Sequence, residues 1–241
     1  MKAKTEGHVG HETLHRLSGM DRTNRWMFDV LAPHLGAKVI EAGSGSGNLT
    51  RYLLDREKLL CLDIDPDHVR SLESRYADLK NVTAKRCELS DSHVAEITGT
   101  GWDTVVCINV LEHIRNDRRA LRNFHEVLRP GGRLVLLVPA IPLLFSTLDE
   151  ALDHHRRYTR SRLVYKMESA GFRLIESRYL NFFGIAGWFL SGKILRRRIL
   201  PSTLLGLFNA MVPAFRAFER LTGPPIGLSV IAIGEKPKMT P

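Results

Sequence analysis

Short apolar runs alternate along the chain with segments whose apolar positions recur at helical spacing. The runs are KVIEA (38–42), LLCLDI (59–64), VTAKRC (82–87), DTVVCINV (103–110) and RLVLLVP (133–139). Alternation of this kind predicts βαβ units, and so a parallel sheet covered by helices on both faces. Between the last two runs, NDRRALRNFHEVLRPGG puts Leu121, Phe124, Val127 and Leu128 on one helix face. Asn116 or Asp117 caps the start of that helix, and Pro130, Gly131 and Gly132 end it and turn the chain into the next strand. FRLIESR and IGLSVIAIGEK read as two further strands. No internal repeat or low-complexity tract interrupts the pattern.

Those last two strands are separated by residues 179–226, which are apolar: LNFFGIAGWFL, KILRRRIL and PSTLLGLFNAMVPAF. Gly, Asn and Pro break these runs short of the roughly 20 apolar residues of a membrane span. Two readings of the insert follow. It lies over an acceptor pocket as an apolar lid, with Phe183 and Trp188 lining it, or it rests on a membrane surface with Lys193, Arg196, Arg197 and Arg198 at the headgroups. The division expected is a core with an N-terminal helical segment (1–178), the insert (179–226), and a last core strand with its tail (227–241).

Composition agrees with one globular unit: 241 residues, 44% hydrophobic and 25% charged. The formal net charge of +9 favours an acidic partner such as nucleic acid, anionic lipid or a phosphorylated substrate. Cys61, Cys87 and Cys107 fall in apolar runs at a spacing that matches no zinc or redox pattern, so no metal is expected and a reducing cytoplasm is. The polar, His-rich start MKAKTEGHVGHETLHRLSGMDR reads as neither a secretory signal nor a membrane anchor.

The candidate chemistry begins with VIEAGSGSGNLT (39–50), where a strand hands over to a helix. Glycines there permit a tight turn and a close ligand approach, and N–H groups at a helix start favour a negatively polarised ligand. The dinucleotide fingerprint GxGxxG would need glycine at position 48, which is Asn48. About 20 residues on, Asp63 ends the second strand, where a carboxylate can accept two hydrogen bonds from a ribose diol. In order, VIEAGSGSGNLT, LDIDP, CELSD, DTVVCINVLEHI and LRPGGRLVLLVP resemble the motifs of class I S-adenosylmethionine-dependent methyltransferases over roughly residues 25 to 180.

That resemblance implies a Rossmann-like α/β fold: a seven-stranded, mostly parallel sheet with an antiparallel last strand, here with the helical insert added. It implies S-adenosyl-L-methionine as cofactor. Glu41 and the backbone of Gly43, Gly45 and Gly47 would face its methionine end, Asp63 its ribose, and Ile64 its adenine. Glu88 and Leu89 would meet the adenine rim, and Asn109 the sulfonium side. Position 88 is commonly Asp in the family, so the backbone of Leu89 stands as the alternative contact to Glu88.

The acceptor must be read from segments outside the common core. PAIPLLFSTLDEALDHHRRYTRSRL (139–163) resembles an HxRRY element found after the fifth strand in a subgroup of small bacterial methyltransferases, with His154 at the histidine. A histidine beside a carboxylate takes a proton from a hydroxyl at neutral pH, so His154 is the candidate base, oriented by Asp149. His113 and Tyr158 are candidate acceptor-side residues. His155 and Arg157 read as a solvated loop before a helix capped by Thr159. The expectation is methyl transfer, favouring oxygen, to a small or lipid-like hydrophobic acceptor in the cytoplasm, with the inner face of the membrane as an alternative site. RNA methylation and non-catalytic cofactor binding are the rivals. Against RNA, no RNA-binding module and no Asn/Asp-Pro-Pro-aromatic signature is present.

Overall fold

The computed structural model describes Arg16 and residues 19–238; most of the polar N-terminal stretch therefore lies outside the described residues. Seven strands form one sheet in the order β3-β2-β1-β4-β5-β7-β6. They are β1 (Lys38–Ala42), β2 (Lys58–Asp63), β3 (Val82–Arg86), β4 (Trp102–Ile108), β5 (Leu128–Pro139), β6 (Arg173–Leu180) and β7 (Ser229–Glu235). Strands β1 to β5 pair in parallel, and β7 runs antiparallel to both β5 and β6. The expected α/β fold with its antiparallel last strand is what the chain adopts.

Alternate residues of each strand feed two cores, as the period of two requires. Leu134, Leu136 and Val138 belong to the cluster that buries Val94 of α3 (Val94–Thr98), Leu121 and Phe124 of α4 (Asp117–Val127), and Leu163 and Met167 of α6 (Arg160–Ser169). Val135 and Leu137 face the other way, toward α1 (Asp21–Leu31), α2 (Pro66–Arg75) and Val212 of the long α8 (Ser202–Thr222). Fully burying a side chain such as Phe124 stabilises the fold by about 1.5–3 kcal/mol. The three cysteines are free and buried, as their apolar settings require.

Helix starts follow local chemistry. Asn116 accepts a hydrogen bond from the Arg119 N–H and begins α4; Asp65 accepts one from the Asp67 N–H and, with Pro66 next, begins α2. Thr159 caps α6 in the same way. One expectation needs correcting. Pro130, Gly131 and Gly132 do not separate α4 from the strand, because β5 already starts at Leu128. The register against β4 instead jumps from Trp102↔Leu128 to Thr104↔Arg133, so these residues form a bulge within β5.

Between β6 and β7 the insert forms α7 (Gly184–Trp188), a π-helical turn over Phe189–Ile194, and α8. Helix α8 lies along α1. Asn209 accepts from both the N–H and the hydroxyl of Thr23, and Arg216 is paired with Asp29 at 2.5 Å. No helix among the described residues is long and apolar enough to cross a membrane.

Candidate active site

Strand order reverses direction between β1 and β4, and in such sheets the crevice outside the carboxyl ends of the strands at that point receives ligands. The loops after β1, β4 and β5 leave the sheet at this edge, and most of the predicted site residues lie on them or at the end of β2.

The glycine loop is pinned to β2 by the Gly43 and Ser44 N–H groups, which both donate to the Leu62 carbonyl. Its three glycines serve different ends. A Cβ on Gly43 would fall 2.3 Å from Val110, and one on Gly47 would fall 2.8 Å from Leu72, so both positions are glycine to let neighbouring side chains pack. A Cβ on Gly45 would meet no atom within 4 Å, which makes Gly45 the position whose open face a ligand can approach. All three have positive φ.

Asp63 lies beneath this loop, 8% exposed. Its Oδ2 accepts from the Gly45 N–H at 2.7 Å, its Oδ1 from the Asp65 N–H at 2.9 Å, and His68 Nδ1 lies 3.3 Å from Oδ1. Burial alone would raise the pKa of Asp63, but the bonds from His68 and the two N–H groups outweigh it and hold the group below the usual range. Ile64, next along, is 57% exposed, an apolar surface standing free beside the carboxylate.

Glu41 is buried, and its Oε2 accepts from the Thr50 hydroxyl at 2.6 Å. Desolvation pushes its pKa to about 8. The side chain thus braces the turn that follows the glycine loop from below. Glu88 is exposed and accepts from Ser90, while Leu89 is buried with its carbonyl taken by Asn123. Asn109 is exposed at the end of β4, with φ +51, a conformation asparagine tolerates.

The second cluster joins the loops after β4 and β5. Asp149 is fully buried and gathers five donors: Ser146 N–H and hydroxyl, Trp188 Nε1 at 3.1 Å, Arg157 Nε at 2.7 Å, and His154 Nδ1 at 2.9 Å. Burial would raise the pKa of Asp149, yet the His154 bond and the Arg157 charge keep it below the carboxylate range. Asp149 also closes a capping box with Ser146 at the start of α5 (Thr147–Ala151). With Nδ1 of His154 engaged, Nε2 is left turned toward Glu112, 3.9 Å from its Oε1.

Glu112 is the residue that sequence reasoning missed. It is wholly buried, neither carboxylate oxygen has a hydrogen-bond partner, and desolvation raises its pKa to about 7. His113 stands edge-on to His154, ring centroids 4.8 Å apart, and burial lowers its pKa to about 4. The His155 N–H donates to the Glu112 carbonyl and fastens the two loops together. A Glu-His pair directly after the fourth strand was the available signal.

Four expectations change here. Arg157 is not in a solvated loop: its side chain is 1% exposed, paired with Asp149, bonded to the Ala140 carbonyl and stacked 4.7 Å from the Trp188 ring. Tyr158 does not offer its hydroxyl to an acceptor, because it is buried and donates to Asp117, which also binds Lys166 and Arg156. Trp188 spends its N–H on Asp149. Phe183 stacks on Phe215 at 4.4 Å inside an aromatic group with Phe182 and Phe218. Both insert aromatics therefore serve to dock the insert.

Residues 40–134 match the family model of a methyltransferase domain. A 157-residue stretch, 63% of the chain, is 28% identical to a probable S-adenosylmethionine-dependent methyltransferase of Mycolicibacterium smegmatis, covering 57% of that protein. A 120-residue stretch, 49% of the chain, is 31% identical to an uncharacterized methyltransferase of Mycobacterium bovis, covering 58% of it. The chain thus spans little more than half the length of these relatives. In fold it is similar to an S-adenosylmethionine-dependent methyltransferase of Mesorhizobium loti, with a TM-score of 0.61 at 14% identity over 90% of this chain and 100% of that one. The domain match, the methyltransferase relatives, the glycine loop, Asp63 and the strand order together support a class I S-adenosylmethionine-dependent methyltransferase.

Proposed function

We propose that this protein methylates a hydroxyl of an apolar, lipid-like acceptor. The observation that carries the reading is the buried Asp149–His154 pair at the same edge of the sheet as the glycine loop. The open face of Gly45 and the two carboxylate oxygens of Asp63 fit the family's cofactor, with Asp63 to receive the ribose diol and Ile64 to cover the adenine. When bound, S-adenosylmethionine would supply an activated methyl group on its sulfonium, toward which the chain would have to hold an acceptor oxygen in line.

The protein's own part is small in chemistry and large in alignment. His154, held by Asp149 through Nδ1, receives the acceptor's proton at Nε2. Arg157 keeps Asp149 ionised, so that carboxylate stabilises the imidazolium that forms.

The acceptor class is supported by the insert's outer surface. Phe189, Leu190, Ile194 and Leu195 are all exposed, next to exposed Lys193, Arg196, Arg197 and Arg198. Apolar side chains among basic ones suit an anionic lipid surface. Because Phe183 and Trp188 are committed to packing, this arrangement favours membrane contact over a lid.

Labelled cofactor incubated with membrane and soluble extracts tests the reading. Label should enter an organic-extractable product, and His154→Ala should lower its rate by roughly 10²–10⁴-fold with cofactor affinity little changed. Label found only in RNA, or a His154→Ala variant with full turnover, would overturn it.

A further inference from the structure

We infer that Glu112, His113 and His154 form a binding site for a first-row divalent transition-metal ion. One ligand atom from each lies within 4.8 Å of the other two. The inference bears on the methyl-transfer reading at one point: with an ion bound, His154 Nε2 would be a ligand and not the proton acceptor, and the ion would take over activation of the acceptor oxygen.

The first observation is the isolation of Glu112. Its carboxylate is 0% exposed and both oxygens lack a hydrogen-bond partner. Leaving such a group unpaired forfeits its hydration without replacement, a penalty that is larger for a charged group. The nearby donors cannot answer it. Arg157 directs Nε to Asp149 and a terminal nitrogen to the Ala140 carbonyl, and His154 Nε2 at 3.9 Å is beyond hydrogen-bond reach. A cation among Glu112, His113 and His154 would engage one of these oxygens and offset the carboxylate's charge.

The second observation is the way His154 is held. Metal-ligating histidines commonly donate their other ring nitrogen to a carboxylate, which fixes the tautomer and the ring plane. Asp149 binds Nδ1 of His154 at 2.9 Å and so leaves Nε2 turned toward Glu112. The His155 N–H bond to the Glu112 carbonyl holds the two loops in register.

Two imidazoles and one carboxylate suit zinc, manganese or ferrous iron better than calcium or magnesium, which prefer all-oxygen sites. Bonds of about 2.0–2.2 Å in tetrahedral geometry separate ligand atoms by about 3.3 Å, so the side chains close by up to about 1.5 Å around the ion. Three protein ligands leave a position open, as in metal sites that act on a substrate oxygen.

Untagged protein, stripped with chelator and then titrated with Zn²⁺, Mn²⁺ and Co²⁺ by calorimetry, tests the site. Expected are one equivalent of bound ion, a visible Co²⁺ spectrum, and a rise in the unfolding midpoint. Glu112→Gln and His113→Asn should each weaken binding by at least about 100-fold. Glu112→Gln, nearly the same shape, should leave the stripped protein at least as stable as the wild type, because it removes an unpaired buried charge. Binding that is absent, or unchanged in both variants, would overturn the inference; the unchanged case would put the ion elsewhere, such as on His8, His11 and His15. Cofactor affinity measured on the stripped protein reports separately on the methyl-transfer reading.

Discussion

Replacing Asp149 with Asn removes one charge from a place where five donors converge. The change matters most for Arg157, whose side chain is 1% exposed and whose counter-charge is Asp149 at 2.7 Å. Two contacts remain to the guanidinium, the Ala140 carbonyl and the face of Trp188, neither with a net charge, and the Glu112 carboxylate acts on it only through space, without a hydrogen bond. Breaking a buried ion pair from one side typically costs about 3–5 kcal/mol, because the remaining charge stays desolvated. For a chain of this size each kcal/mol lowers the unfolding midpoint by about 2–4 °C, so Asp149→Asn should lose about 10 °C. Urea unfolding gives the free energy directly. The double variant Asp149→Asn/Arg157→Met should regain most of the loss, since it withdraws the stranded charge and keeps the side chain's volume. A single-variant loss under 1 kcal/mol, or two losses that simply add, would refute the argument that Arg157 depends on Asp149.

Three further outcomes follow from the site. Asp63→Ala should weaken S-adenosylmethionine binding by about 2–4 kcal/mol, the worth of two charge-assisted bonds to the ribose, and an unchanged calorimetric Kd would remove Asp63 from the cofactor site. Gly45→Val puts a β-branched residue at φ +50, a strain of about 1–2 kcal/mol, and fills the loop's open face. Binding should vanish while circular dichroism stays native; normal binding would place the cofactor elsewhere. Arg196/Arg197/Arg198→Gln should reduce co-sedimentation with anionic liposomes by about 3 kcal/mol of partitioning, at roughly 1 kcal/mol per basic residue, and wild-type protein that ignores such liposomes would sink the membrane reading.

The sheet was legible in the sequence because a parallel strand buried on both faces must be apolar nearly throughout, as LLCLDI and RLVLLVP are. The glycine loop and Asp63 were legible for a similar reason: their spacing follows from one local strand-to-helix turn. The acceptor side was not. In DHHRRY the residues look solvated, and nothing local marks Arg157 as buried. Its burial depends on Trp188, and Trp188 meets Asp149 across 39 residues. Tyr158 finds its partner Asp117 across 41 residues, on another helix. Glu112 was hidden by its neighbours, for Leu111 and Ile114 carry the periodicity and the carboxylate between them reads as a surface residue. Local pattern reports on backbone and turns; polar networks assembled from distant segments leave no period to detect.

The insert and the loop after β5 share parts. Trp188 leaves α7 to bond Asp149, Gly192 in the π-helical turn lies so close to Ser146 that a Cβ would come within 2.2 Å of its hydroxyl, and the Thr147 hydroxyl donates to the Arg197 carbonyl at 2.6 Å. Residues 188–197 therefore cannot lift away as a door swings on a hinge. Any displacement of this segment withdraws a donor from Asp149 and loosens the residue that aims His154. A surface that presses on Phe189, Leu190 or Arg197 thus has a mechanical line to the imidazole, and a load at one end of this lever is felt at the other.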